Sequence, residues 1–217
     1  MNIFGSSSLS ILALGDSYTI GEGEKQENTF PFMFYKRLLS IGLKAVIPEI
    51  IATTGWTTRD LLNAISQKPP AKAAYSFIFL LIGVNNQYEG IPFQQYKEDL
   101  AQLYSLALRF SQEGASGISI LSIPDYAYTP FGRERDYAKI SLEIDSYNFY
   151  NKKLAGEYEF NYVDITDLSR MGLEDPQYLT SDLLHPSSLM YKKWTERIEN
   201  TLNLYQMEKE SKLNDSF

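Results

Sequence analysis

Two spacings of apolar residues alternate along the chain. Short apolar runs at residues 10–14, within 45–52, and at 77–82, 117–123 and 161–165 read as buried strands. The run FIFLLI at 77–82 is apolar on both faces, as a strand at the centre of a covered sheet requires. Between these runs the apolar residues recur at helical spacing. One helix is predicted over about 31–43, where Pro31 suits a first turn and Gly42 a stop. A second carries Leu61, Leu62 and Ile65 and is capped by Thr57 or Thr58. A third spans about 93–112 with Tyr96, Leu100, Leu103 and Leu106 or Ala107 in one stripe, and two more follow at about 140–157 and 187–206. Strand and helix in alternation imply βαβ crossovers. The fold class expected is a three-layer α/β/α sandwich with a mostly parallel sheet, of flavodoxin-like appearance.

Three segments break the rhythm and are expected as loops: GVNNQYEG after the third strand, the aromatic stretch DYAYTPFGRERDYAK at 125–139, and TSDLLHPSS before the last helix. No internal repeat or domain boundary is visible, so residues 1–208 are expected to form one domain and 209–217 a polar tail.

Composition narrows the function. The chain has 217 residues, 20 Lys and Arg against 27 Asp and Glu, and a net charge of −7. With no basic cluster to follow a phosphate backbone, nucleic acid is excluded as a partner. No run approaches the roughly 20 apolar residues of a membrane span. The first fifteen residues lack a basic n-region, and their apolar stretch reads as a strand. A soluble cytoplasmic protein is expected, unless a leader has been removed. Zero cysteines and one histidine argue against a zinc site. An all-oxygen calcium or magnesium site would need spacing that no EF-hand-like run supplies, so no metal is expected.

That single histidine, His185, lies three residues after Asp182, while Ser17 sits in ILALGDSYTIGEG near the other end. Nucleophilic chemistry on a hydroxyl needs one imidazole to take its proton and one carboxylate to hold the imidazole's tautomer. In an open parallel sheet, ligands bind beyond the carboxyl ends of the strands. Four segments fall there: GDSYTIGEG, TTGW, GVNNQ and SDLLHP. They offer Ser17 as nucleophile, the backbone N–H of Gly55, the side-chain amide of Asn85, and Asp182 with His185 as orienter and base. Taken singly each has a structural alternative: Ser17 as a cap, Gly55 as a positive-φ turn, Asn85 and Asn86 as Asx turns, Asp182 as a cap, and His185 as a surface or core residue. GDSYTIGEG lacks both phosphate-loop patterns and carries Asp16, Glu22 and Glu24, which repel an anion, and no GxSxG elbow is present. Tyr18, Trp56, Tyr88, Tyr126, Tyr128 and Phe131 are candidate walls of a substrate pocket. Arg133 and Arg135 either meet an anionic group or form a solvated face.

Jointly, these blocks resemble the SGNH, or GDSL-type, esterase and lipase family. Gly15-Asp16-Ser17 matches its GDS block, Gly55 its lone second-block glycine, Gly83-Val84-Asn85 its GxN block and Asp182 to Pro186 its DxxHP block. The resemblance implies a serine esterase with an acyl-enzyme intermediate and no cofactor. By its pattern Ser17 is acylated, His185 serves as base and then acid, Asp182 orients it, and Ser17 N–H, Gly55 N–H and the Asn85 amide form the oxyanion hole. The substrate it implies is a small-molecule ester. It covers carboxylic esters of small to medium size, lysophospholipids, acyl thioesters and acetylated carbohydrates alike. The rival from another class is a ligand-binding module with a relic site. The oligomeric state is left open. Two positions depart from the family's usual blocks: Tyr18 stands for a leucine and Asn86 for an aspartate. Because neither carries a direct chemical role, Asn86→Asp is expected to be tolerated.

Overall fold

A computed structural model describes residues 8–204. Five strands form one parallel sheet: β1 (Ile11–Gly15), β2 (Glu49–Ala52), β3 (Phe77–Leu81), β4 (Ile118–Leu121) and β5 (Asn161–Val163). Their order is β2-β1-β3-β4-β5, which is the flavodoxin-like doubly wound order with its switch point between β1 and β3. In register, Leu14 lies beside Ile51 on one side and Leu80 on the other. Every residue of β1 and β3 is buried, as their two-sided apolarity requires.

Helices cover both faces. Helix α1 (Ser17–Ile20) is one turn after β1, and α2 (Phe30–Ser40) packs against the last helix, α9 (Ser188–Thr201). Phe34 of α2 meets Phe77 and Phe79 edge-on, each at 5.1 Å between centroids. Helix α3 (Thr58–Gln67) packs on α5 (Phe93–Phe110), whose Phe93 and Tyr96 rings meet Tyr147 of α7 (Tyr137–Glu157). The three short helices α4 (Val84–Tyr88), α6 (Pro130–Arg133) and α8 (Thr166–Ser169) lie among the connections.

Thr57 rather than Thr58 caps α3, in a reciprocal capping box: Asp60 N–H donates to the Thr57 hydroxyl at 3.3 Å and Thr57 N–H to the Asp60 carboxylate at 2.9 Å. Two of the three expected loops are helical instead. GVNNQYEG forms α4, because Gly83 at φ 126 turns the chain where a Cβ would stand 2.7 Å from Tyr96 and 2.8 Å from Ile123. Residues 125–139 are ordered by their own polar side chains: Asp125, Thr129 and Asp136 accept from Ala127, Gly132 and Lys139 N–H, starting a 3₁₀ turn at Tyr126–Tyr128, then α6, then α7 three residues earlier than expected. Helix α9 closes at Thr201; the rest of the expected helix, to residue 206, and the 209–217 tail lie outside the described residues. Among the described residues no helix is long and apolar enough to cross a membrane.

Candidate active site

All four expected segments meet at the carboxyl edge of the sheet. Ser17 is the first residue of α1, directly after the turn that Asp16 makes from β1. His185 lies in the turn before α9, closed by hydrogen bonds from Thr180 N–H to the His185 carbonyl (2.8 Å) and from Ser187 N–H to the Tyr178 carbonyl (2.9 Å). Two bonds tie the turn to the serine segment: Tyr191 of α9 donates its hydroxyl to the Tyr18 carbonyl at 2.9 Å, and Ser188 N–H donates to Glu24 at 2.9 Å. Leu183, between the carboxylate and the imidazole, sits at φ 59. A residue that carries a Cβ costs about 1–2 kcal/mol in that conformation.

Asp182 holds the imidazole from one side only. Its Oδ2 lies 2.7 Å from His185 Nδ1, while Oδ1 accepts from the Thr180 hydroxyl (2.7 Å), Leu184 N–H (2.9 Å) and His185 N–H (2.9 Å). Partial burial would raise this carboxyl, but the hydrogen bonds from His185, Thr180 and Leu184 outweigh it and hold it at about 2. An acceptor of that kind at Nδ1 places the ring proton there and leaves the lone pair on Nε2.

Ser17, His185, Gly55 and Asn85 line a single cavity of about 230 Å³. Gly55 lines the cavity with φ 83, a conformation that favours glycine. Asn85 gives one amide hydrogen to the Trp56 carbonyl at 2.9 Å, which orients the side chain and leaves the second hydrogen available. No hydrogen bond joins Ser17 Oγ to the imidazole among the described residues; such contacts often tighten only with substrate bound.

The cavity's other walls are mostly apolar. Tyr18, Tyr88, Tyr126 and Phe131 line it as expected, and the Tyr126 hydroxyl is fixed by Gln87 at 2.8 Å. Trp56 and Tyr128 do not line it. Trp56 contributes its carbonyl to Asn85 and packs its ring against the core, and Tyr128 lies under the Arg170 guanidinium at 5.4 Å. Arg133 and Arg135 are stacked on Tyr137 and Phe131 at 3.8 and 3.5 Å. Thr54, Val84 and Leu184 line the cavity without having been expected there. Each lies inside or beside a matched block, so the signal was position within the motif rather than residue type.

Asp16 is a buried group with an open position. Its Oδ1 accepts from Tyr18 N–H at 3.0 Å, and its Oδ2 has no hydrogen-bond partner among the described residues. Burial pushes this carboxyl up to about 7, against the Tyr18 N–H that favours the charged form. The folded protein therefore keeps a proton that the unfolded chain releases near about 3.9. Stability is lost as pH rises from about 4 to about 7 and levels off above. Thermal melts of Asp16→Asn across pH 4 to 9 should lack that decline; a variant that keeps it would remove Asp16 as its source.

A doubly wound α/β domain with its cavity at the switch-point end of the sheet is thus the class of molecule. Residues 13–193 match the GDSL-like lipase/acylhydrolase family, and the chain belongs to that family. It is by that membership a carboxylic-ester hydrolase. Solved structures share the fold at low identity. LAE5, described as an α/β hydrolase enzyme from the metagenome of Lake Arreo, is 17% identical, with 94% of this chain and 98% of that one covered at TM-score 0.68. Axe2, an acetylxylan esterase from Geobacillus stearothermophilus, is 19% identical over 93% and 96% at TM-score 0.67. The esterase EstA from Pseudoalteromonas sp., in a structure inhibited by monoethylphosphonate, is 15% identical over 91% and 98% at TM-score 0.62. No curated protein matches the chain by sequence.

Proposed function

We propose that the protein is a serine esterase acting on small to medium carboxylic esters through Ser17, His185 and Asp182. The observation that carries this reading is the convergence of Ser17, His185, Gly55 and Asn85 on one cavity, with Asp182 bonded to the far side of the imidazole. Ser17 Oγ attacks the ester carbonyl while its proton passes to His185 Nε2. The tetrahedral oxyanion is met by Ser17 N–H, Gly55 N–H and the free amide hydrogen of Asn85. Its collapse expels the alcohol, which takes the proton from His185, and leaves Ser17 acylated. Water then enters by the same path, giving its proton to His185, and the second collapse returns that proton to Ser17 as the acid departs. The Asp182 carboxylate balances the imidazolium in both halves.

The apolar lining supports an uncharged acyl group. Tyr18, Tyr126 and Leu184 line the cavity and also a second, small void of about 10 Å³ that reaches Met190 and Trp194. They form the wall that stops an acyl chain. Acetyl esters stand at the short end of the range this wall admits. A series of p-nitrophenyl esters from acetate to palmitate tests the reading: kcat/KM should fall steeply beyond medium chains. Tyr18→Leu should open the wall toward the second void. Each methylene newly buried is worth about 0.8 kcal/mol, or about fourfold, so two should raise the octanoate-to-acetate ratio by about fifteenfold. Equal rates along the series in the wild type, or no change of ratio in the variant, would overturn the assignment of Tyr18.

A further inference from the structure

Consecutive asparagines on α4 grip two points of the same neighbouring segment. Asn85 holds the Trp56 carbonyl. Asn86, wholly buried, reaches the start of α3, where its Oδ1 accepts from Thr58 N–H at 3.0 Å and its Nδ2 donates to Thr58 Oγ1 at 2.8 Å. Thr58 is also wholly buried and passes its own hydroxyl proton to Asp99 Oδ2 at 3.2 Å. Asp99, on α5 and without exposure, is paired with the Arg59 guanidinium through Nε (3.2 Å) and Nη2.

We propose that Asn86, Thr58 and Asp99 form a positioning chain that sets the Gly55 segment against Asn85, and that Asp99 is the reason position 86 requires an amide. The proposal rests on the oxyanion-hole reading given above. Thr58 has a single hydroxyl proton, and with that proton committed to Asp99 its oxygen can only accept from position 86. An amide supplies that donor. A carboxylate at 86 leaves one proton between two buried acceptors, and both cannot be satisfied. The displaced contact lies three residues from Gly55 and next to Asn85, so the two oxyanion donors lose their register. On this proposal Asn86→Asp is harmful, the opposite of what the family's usual block leads one to expect.

The test is a double-mutant cycle of wild type, Asn86→Asp, Asp99→Asn and the double variant, read as kcat and KM for p-nitrophenyl acetate and as melting temperature. Asn86→Asp should lower kcat by about tenfold or more with little change in KM, because donors misplaced in the transition state leave ground-state binding intact. Asp99→Asn should cost kcat less, since its amide oxygen still accepts from Thr58 and Arg59 Nε, while the lost Arg59 Nη2 contact, on a half-exposed guanidinium, is read in the melting temperature. The double variant should recover part of the lost kcat: Asp at 86 now takes the Thr58 proton and Asn at 99 donates to Thr58 Oγ1, which runs the chain in reverse at the expense of the Arg59 Nε bond to that same position. Unimpaired kcat in Asn86→Asp, or a double variant no better than it, overturns the proposal. So does a loss confined to melting temperature. Should Asn86→Asp fail to fold, Thr58→Ser against Thr58→Val replaces it; serine keeps the hydroxyl and should retain most of kcat, valine should not, and equal rates overturn the proposal. A wild type inert toward every ester would sink the reading of the site rather than the chain. The melting temperatures then decide: recovery in the double variant upholds the proton order, and no recovery overturns it.

Discussion

Ser17→Ala should lower kcat for ester hydrolysis by about 10⁵-fold or more while the protein stays folded and KM changes little. Loss of the hydroxyl removes the acyl-enzyme path altogether. What remains is the effect of the oxyanion donors on direct attack by water, which in comparable triads still amounts to about 10³–10⁴ over the uncatalysed rate. Folding should survive because Ser17 Oγ makes no hydrogen bond among the described residues, so alanine leaves no buried partner unsatisfied. Initial rates with p-nitrophenyl acetate give the first measurement. The second is mass spectrometry after exposure to an organophosphonate: the wild type should carry one adduct, on Ser17, and the variant none. An adduct on another residue, or full activity in the variant, would remove Ser17 from the role.

The strand-end blocks were legible because they combine backbone demands with chemistry. Gly55 must adopt a positive φ, and Asp182 and His185 three residues apart can close a turn in which carboxylate and imidazole face each other. The buried strands were legible from apolar runs, with boundaries shifted by a residue or two. What escaped was set by contacts distant in sequence. Val84 to Tyr88 turns helical because Gly83 must pass under Tyr96 and Ile123, 13 and 40 residues away, and no local signal marks it. The aromatic stretch at 125–139 looked irregular because its order comes from three side-chain caps spread along it. Residue type alone makes Tyr128 and Trp56 candidates, whereas exposure to the cavity is decided by which face of a turn each occupies. Asp99 illustrates the limit most plainly. In sequence it is one acid on an amphipathic helix; only the packing of α5 against α3 delivers it, buried, to Thr58.

Asp182→Asn should cost about 10³–10⁴-fold in kcat, a larger loss than any single oxyanion donor, which is worth about 10²–10³. An amide in the same place can offer its N–H to His185 Nδ1, and the proton then moves to Nε2. The imidazole loses the lone pair that must face Ser17, and the imidazolium that forms in the reaction loses its counter-charge. The substrate contacts are untouched, so KM should change little. A second signature follows from the carboxyl being held at about 2. A group depressed in the folded state stabilises it above the unfolded value of about 3.9, and that contribution disappears as pH falls from about 4 toward 2. The variant should therefore melt below the wild type at neutral pH, with the gap closing across that acidic interval. Kinetics and melts at matched pH separate the two effects. A variant with wild-type kcat would exclude Asp182 as the residue that sets the tautomer, and a melting gap that stays constant down to pH 2 would exclude its charge as the source of the stability.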